Sequence, residues 1–108
     1  MNSKLFSDYR KIYEQAFMPI FVKDSFDTDT LIEGCKLAGV GAVEYTLRRE
    51  DVNVVLPTLK QKMDGVTVLV GSTIDCDKVV EQIKQKNSQL LTIDEVAPYV
   101  DGLVSMLP

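Results

Sequence analysis

Histidine is absent from this sequence of 108 residues. That absence excludes Ser-His and Cys-His nucleophiles, a histidine general base and any zinc site with histidine ligands. Acid–base chemistry must therefore fall to carboxylates, lysines, tyrosines, cysteines or water. The remaining side chains indicate neither a metal nor an organic cofactor, and we expect none.

Cysteines and long apolar runs are both scarce. The two cysteines, Cys35 and Cys76, have a spacing that indicates neither a metal site nor a redox pair. We expect both to be reduced and unreactive, which favours a cytoplasmic location. The longest apolar stretches, residues 16–22 and 66–70, are far too short to span a bilayer, so no membrane partner is expected.

Excess positive charge is missing as well. Lysine and arginine total 12 against 16 acidic residues, which gives a net charge of −4 and argues against a nucleic-acid partner. The chain is 45% hydrophobic and 26% charged, proportions typical of a globular protein. Its length predicts a single domain over residues 1–108.

The first segment, residues 1–17, has helical periodicity, and we predict a helix over residues 3–16. One face of this helix carries Leu5, Tyr9, Ile12 and Tyr13. Its basic residues are Lys4, Arg10 and Lys11, and we expect them to form a solvated surface.

Short apolar runs then alternate with helical patterns. Strands are predicted at residues 18–23, 42–48, 66–73 and 102–106. The first intervening helix has Asp27 or Thr28 as its N-cap and Gly39 just past its end. The second begins near Glu50, with a kink or a break expected at Pro57.

Two further helices complete the pattern. Asp75 is the predicted N-cap of a helix that runs to about Lys86. Residues Thr92 and Glu95 have capping-box spacing, which predicts a short helix stopped by Pro98. Alternating strands and helices predict an α/β fold of parallel βα units, with ligands binding beyond the carboxyl ends of the strands.

The second strand carries the most informative chemistry. Side chains alternate along a strand, so Glu44, Thr46 and Arg48 share one face. A partly buried carboxylate beside an arginine has its pKa raised by burial and lowered by the guanidinium, and such a group suits proton transfer. The alternative is that Glu44 and Arg48 form a structural ion pair or point into solvent.

Residues following the third and first strands offer weaker signals. Gly71, Ser72 and Thr73 place hydroxyl and backbone N–H groups where an anion could bind, although composition alone favours a plain βα turn with capping residues. Lys23 ends the first strand, where a lysine either extends into water or, in an apolar pocket, attacks a carbonyl carbon. We favour the solvent-exposed interpretation for Lys23.

The segment from Glu44 through Thr46 and Leu47 to Arg48 resembles the Glu-Val-Thr-Leu-Arg segment of the 2-keto-3-deoxy-6-phosphogluconate and 4-hydroxy-2-oxoglutarate aldolases. The order of elements is also similar along essentially the whole chain. The resemblance implies the first four strands of a (β/α)8 TIM barrel, with a leading helix at residues 1–17. Residues 18–108 would form four βα-type units, the last incomplete.

By this resemblance the protein is a class I aldolase, a lyase that cleaves a 2-keto-4-hydroxy acid to pyruvate and an aldehyde through a lysine Schiff base. Glu44 would be the catalytic carboxylate that transfers protons. Arg48 and Thr73 would bind the keto-acid substrate at its carboxylate end.

The sequence also departs from that family. Met106 follows Ser105 where the family has proline, and Gly71-Ser72 stands in place of Ala-Gly. The Schiff-base lysine belongs to a sixth strand, which these four strands do not include, so this chain alone is expected to be inactive. A closed barrel needs at least ~200 residues.

Four parallel strands leave two open edges, which favours either a homo-oligomer or a piece of a longer protein. An alternative function is therefore a non-catalytic half-barrel, a self-associating module that binds a small molecule. A third hypothesis is an unrelated small α/β binding domain.

Overall fold

A computed structural model describes residues 3–73, 76–86 and 90–105. The helices are α1 (Ser3–Gln15), α2 (Thr28–Ala38), α3 (Val52–Lys62), α4 (Asp77–Lys84) and α5 (Ile93–Val96), and a 3-10 turn at Ala97–Tyr99 continues the last of them. The strands are β1 (Ile20–Phe21), β2 (Ala42–Thr46), β3 (Thr67–Gly71) and β4 (Gly102–Leu103).

The four strands form one parallel sheet in the order β1-β2-β3-β4. This confirms the predicted α/β class with parallel βα units. Every strand is shorter than predicted, and β1 and β4 have only two residues each. The central strands β2 and β3 pair over five residues each, whereas each outer strand pairs on one side only among the described residues.

The core lies on one face of the sheet. Val43, Tyr45, Val68 and Val70 point towards the helices and are fully buried there. We call the opposite side, which carries Ile20, Glu44, Thr46, Leu69 and Gly71, the open face. Ile20 retains 50% of its exposure on that face. Parallel sheets are normally covered on both faces, so an Ile20 side chain that is half exposed here is unusual, although Thr46 on the same face is buried.

Helix α1 forms where predicted, but it contacts the sheet through its polar side. Gln15 Oε1 accepts hydrogen bonds from the Gly41 and Ala42 amides at 2.7 and 3.0 Å. Gln15 Nε2 donates to the Ala42 and Phe17 carbonyls at 2.8 and 2.9 Å. The amino ends of parallel strands present backbone groups without strand partners, and polar side chains can satisfy those groups.

Lys4 and Lys11 therefore do not form the purely solvated surface that the sequence predicts. Lys4 Nζ pairs with Asp101 at 2.7 Å and with Asp8 at 2.6 Å. Lys11 Nζ donates to the Gly65 carbonyl at 2.9 Å. The predicted apolar face is the exposed one, and its exposed aromatic and aliphatic residues include Leu5, Tyr9 and Tyr13.

Asp101 connects three elements at this amino edge of the sheet. Its carboxylate accepts a hydrogen bond from the Val68 amide at 2.9 Å and also pairs with Lys60 at 2.7 Å. Burial alone would raise the pKa of Asp101, but the bonds from Lys4, Lys60 and Val68 outweigh it and lower the pKa to about 2.

Helices α2 and α3 can be compared with the caps and the break that the sequence predicts for them. Asp27 caps α2 by accepting from the Thr30 amide at 2.8 Å, and Gly39 ends it in the left-handed region at φ 71°. Of the kink or break predicted at Pro57, the break is wrong, because α3 continues through that residue, while the kink stays a prediction. Burial of Val55, Leu56 and Leu59 on both sides of the proline holds the helix together.

The later helices follow their predicted signals in part. Thr92 Oγ1 accepts from the Glu95 amide at 3.2 Å, as the capping box predicts. Helix α5 ends at Val96, but Pro98 lies inside the 3-10 turn. Helix α4 ends at Lys84, two residues early, and its predicted cap Asp75 lies outside the described residues, as does Met106.

Candidate functional site

A cavity of about 670 Å³ opens on the open face at the carboxyl edge of the sheet. Its lining residues are Ile20, Val22, Glu44, Thr46, Arg48, Ser72, Thr73, Leu90 and Val104. The structure thus brings the three predicted site residues, Glu44, Arg48 and Thr73, to the lining of one cavity. Parallel strands explain this, since their carboxyl ends meet at one edge.

The Glu44 carboxylate lies directly against the backbone of Gly71 on the neighbouring strand. A β-carbon at residue 71 would stand 1.8 Å from Glu44 Oε1 and 2.8 Å from its Cδ. Any side chain there would collide with the carboxylate in its present position. Gly71 therefore makes the space in which Glu44 lies.

No described residue forms a hydrogen bond or an ion pair with the Glu44 carboxylate. Burial raises the pKa of this carboxyl, and burial is its only resolved cause. The sequence predicts that the Arg48 guanidinium lowers the pKa of Glu44, but Arg48 has no such effect in the structure. The alternative of a Glu44–Arg48 ion pair is also wrong.

Arg48 turns towards Ser72 instead. Its Nε donates to Ser72 Oγ at 2.9 Å, while its terminal nitrogens form no hydrogen bond with any described residue. Ser72 Oγ lies 2.8 Å from Thr46 Oγ1, and either hydroxyl can donate in that contact. In both arrangements one hydroxyl hydrogen of the Ser72–Thr46 pair remains for a ligand.

Ser72 has φ 62°, a left-handed conformation that is costly for a residue with a β-carbon. Its hydroxyl is the one that meets both Arg48 and Thr46. Strained backbone of this kind often accompanies a functional site. The sequence indicates a Ser72 hydroxyl at this edge of the sheet, but it does not single Ser72 out as a site residue.

Thr73 lines the cavity, but its hydroxyl already donates a hydrogen bond within the protein. Its Oγ1 donates to the Val104 carbonyl at 3.0 Å, and the residue is only 8% exposed. The hydroxyl oxygen can still accept a hydrogen bond, but it cannot donate to a carboxylate while it binds Val104. Arg48 and the Ser72–Thr46 pair are therefore the better donors.

A second polar cluster, which sequence reasoning missed, lies behind the site on the helix side. Arg49 is 2% exposed, and its guanidinium donates to the Lys23 and Phe26 carbonyls at 2.7 and 2.9 Å. It also pairs with Asp51 at 3.1 Å. The sequence signal for this cluster is the Arg-x-Asp spacing of Arg49 and Asp51 in the loop after β2.

Asp51 accepts from the hydroxyls of Thr28 and Tyr45 as well. Burial would raise the pKa of Asp51, but the bonds from Arg49, Thr28 and Tyr45 outweigh it and lower the pKa. Burial, followed by the bond to Asp51, raises the pKa of Tyr45. The cluster therefore keeps an ionised carboxylate and fixes the loop after β1 against the carboxyl end of β2.

Lysines do not line the cavity, and Lys23 is exposed with its side chain outside the lining. In the described part of the chain, no three cysteine, aspartate or glutamate side chains are grouped as metal ligands. The helices of residues 3–73, 76–86 and 90–105 include none with the length and apolar character needed to cross a membrane.

Comparison with protein-family models, with curated proteins and with solved structures found no match to this chain.

Proposed function

We propose that the cavity binds a small keto acid and is one wall of the site of a class I aldolase-type lyase. In this proposal the sheet is half of a (β/α)8 barrel, and the full reaction cleaves a 2-keto-4-hydroxy acid to pyruvate and an aldehyde. The proposal rests on the Glu-x-Thr-Leu-Arg resemblance. One observation carries it: the Glu44 carboxylate, which has a raised pKa and bonds to no described residue, shares the cavity with Arg48, whose terminal nitrogens also bond to no described residue.

Each residue has a distinct task in this mechanism. The terminal nitrogens of Arg48 bind the keto-acid carboxylate, since a guanidinium matches both carboxylate oxygens. The remaining hydroxyl hydrogen of Ser72 or Thr46 adds a donor beside it. Glu44 accepts and returns a proton at the carbon next to the keto group, and a pKa nearer neutrality makes it an effective acid–base group.

The Schiff-base lysine has to come from outside this cavity lining, because none of the lining residues is a lysine. We therefore expect this chain by itself to bind a keto acid without cleaving one. Its two free cysteines suit a reducing compartment, and a cytoplasmic location is part of the proposal.

The second candidate function is a non-catalytic, self-associating module that binds a small molecule. The observation that favours it is the same missing lysine, together with the open face of the sheet. It shares the carboxylate contact at Arg48 with the first candidate but assigns no proton transfer to Glu44.

Binding is tested by NMR titration of the 108-residue protein with pyruvate and with uncharged pyruvamide. We expect saturable shift changes around Arg48 and Ser72 with pyruvate and much weaker ones with pyruvamide. Arg48→Gln should abolish the response, whereas the matched variant Arg10→Gln on α1, where the exposed guanidinium pairs with Glu14, should preserve it. A failure of pyruvate to bind would overturn both candidates.

Borohydride reduction in the presence of pyruvate then tests whether a lysine of this chain forms a Schiff base. A mass gain on a lysine of this chain would support the aldolase chemistry and contradict the binding module. Pyruvate binding without any mass gain is the result that we expect for this chain alone. A protein that restores the lysine and turns over with wild-type Glu44, but loses turnover as Glu44→Gln, would establish the proton-transfer role.

A further inference from the structure

We propose that the open face is covered by a second copy of this chain, and that two four-stranded sheets close into one eight-stranded parallel barrel. The twofold axis of this dimer runs along the strands. The inference rests on the edges and faces of the sheet and does not depend on the keto acid, so the two proposals can fail separately.

The two sheet edges determine what kind of occupant fits. In the described chain β1 pairs only with β2, and β4 pairs only with β3. Unpaired strand edges present backbone donors and acceptors that another strand can satisfy. Because this sheet is entirely parallel, a barrel-closing occupant has to supply one parallel strand at each edge.

A second copy meets both requirements at once. Rotation by 180° about an axis along the strands preserves the strand direction. The partner's β4 then lies beside β1, while the partner's β1 lies beside β4. A twofold axis perpendicular to the strands would instead give antiparallel pairs. The first arrangement is closed and symmetric, as most soluble homo-oligomers are, and it leaves no free edge.

The size of the assembly also agrees with a barrel. Eight strands give an interior that side chains just fill. Two copies of 108 residues together reach the roughly 200 residues or more that closed (β/α)8 barrels contain. One copy alone provides half of the wall.

The side chains of the open face are those of a barrel interior. Ile20 and Val22 are 50% and 46% exposed on this face, and Val104 lines the same cavity from the β4 side. Removal of such apolar surface from water favours association. Gly102 adds space, since a β-carbon there would stand 2.8 Å from Leu69 Cδ2.

Charge on the open face is balanced within each copy. Glu44 contributes one carboxylate and Arg48 one guanidinium, so a closed interior has no net charge from these two residues. The cavity that is now open to solvent would be enclosed by two copies. The candidate site is therefore incomplete without the partner.

Sedimentation equilibrium of the 108-residue protein tests the stoichiometry. We expect a particle of twice 12.1 kDa at micromolar concentration. Val22→Lys places a charge on the open face and should shift the dissociation constant at least tenfold towards monomer. Val54→Lys is the matched control, because Val54 is 79% exposed on α3, away from that face, and it should leave the dimer intact.

Thiol cross-linking tests which edges meet, and it covers the case in which Val22→Lys fails to fold. Adjacent strands are about 4.8 Å apart, so β1 and β4 lie roughly 14 Å apart across one sheet but are neighbours across the proposed interface. Because the stagger of the barrel sets which residue of β1 lies beside Val104, the Val104→Cys, Cys76→Ser protein carries its second cysteine in turn at Met18, Ile20 and Val22. One of these proteins should give a cross-linked dimer with a short bismaleimide, and Val54→Cys with Cys76→Ser should not. A monomer, a trimer or a dimer without any of these cross-links would overturn the proposal.

Discussion

The carboxylate of Glu44 lies over Gly71, at a place where a β-carbon would stand 1.8 Å from Oε1. The strand register pairs Glu44 with Leu69, and Thr46 with Gly71. Glu44 therefore leans diagonally across β3 towards the carboxyl edge. The acid reaches the cavity because the neighbouring strand lacks a side chain at this position.

Gly71→Ala should displace the Glu44 carboxylate and cost about 1 kcal/mol of unfolding free energy. The cost is moderate because the colliding atoms belong to the end of a flexible side chain. In a Glu44→Ala background the same change should cost at least ~0.5 kcal/mol less, which is the coupling of two residues in contact. Urea denaturation of the four proteins measures this cycle.

Gly34→Ala is the control for that cycle. Gly34 lies inside α2 with no atom within 4 Å of its potential β-carbon. Alanine should stabilise the helix there by roughly 0.5–1 kcal/mol. Equal costs of Gly71→Ala in both backgrounds would contradict the contact between Glu44 and residue 71.

Ionisation of Glu44 should make the stability depend on pH. Burial raises its folded-state pKa above the ordinary value of 4.5, so the protonated form favours the folded state. This contribution is fully present below pH 4.5 and is lost as the pH rises through the folded-state pKa. Relative to wild type, Glu44→Gln should gain stability as the pH rises from 4 to 7.

Urea denaturation of wild type and Glu44→Gln at both pH values measures that trend. Glu33→Gln, on the exposed side of α2, controls for the loss of one carboxylate. A difference between Glu44→Gln and wild type that stays constant with pH would show that Glu44 has an ordinary environment in the folded protein.

The position of the candidate site could be predicted from sequence, but its hydrogen bonds could not. Side-chain alternation places Glu44 and Arg48 on one face, and parallel strands bring Thr73 to the same edge. The partners depend on the left-handed turn at Ser72, which directs that hydroxyl towards Arg48. Neither alternation nor periodicity encodes such a turn when the residue is not glycine.

Helix α1 shows a similar limit. Its periodicity correctly predicts a helix, but the amphipathic pattern does not say which side meets the sheet. Strand amino ends require hydrogen-bonding partners, and Gln15 provides three such bonds at Gly41 and Ala42. That demand depends on the packing of distant segments, so residues 3–15 alone could not reveal it.

Asp101→Ala should destabilise the protein by about 2–3 kcal/mol, because the Val68 amide and Lys60 lose this carboxylate and Lys4 loses one of its two carboxylate partners. Asp29→Ala, which removes an exposed ion pair with Lys62, should cost less than ~1 kcal/mol. Thermal unfolding at pH 7 compares them, and equal losses would contradict a structural role for Asp101.

Asp101 should also contribute to acid sensitivity. Its folded-state pKa is lowered from the ordinary 3.8 to about 2, so its contribution to stability is present above pH 3.8 and is lost as the pH falls through 2. Wild type should therefore lose more stability than Asp101→Asn between pH 5 and pH 2. A parallel decline of the two proteins would show that Asp101 titrates normally.

Arg49 should be the least replaceable charged residue behind the site. Arg49→Lys keeps the positive charge, but a single ammonium cannot reach the Lys23 and Phe26 carbonyls together with Asp51 as the guanidinium does. We expect a loss of about 3 kcal/mol, since buried polar groups lose their partners. Arg10→Lys, on exposed α1, should change stability by less than ~0.5 kcal/mol.

Hydrogen exchange separates a local effect of Arg49→Lys from global destabilisation. Because Arg49 holds residues 23–26 against the end of β2, the Phe26 amide, which donates to the Lys23 carbonyl, should lose more protection than the Val68 amide at the far edge. Exchange that accelerates equally at both amides would mean that Arg49 stabilises the whole fold and does not specifically position the loop beside the cavity.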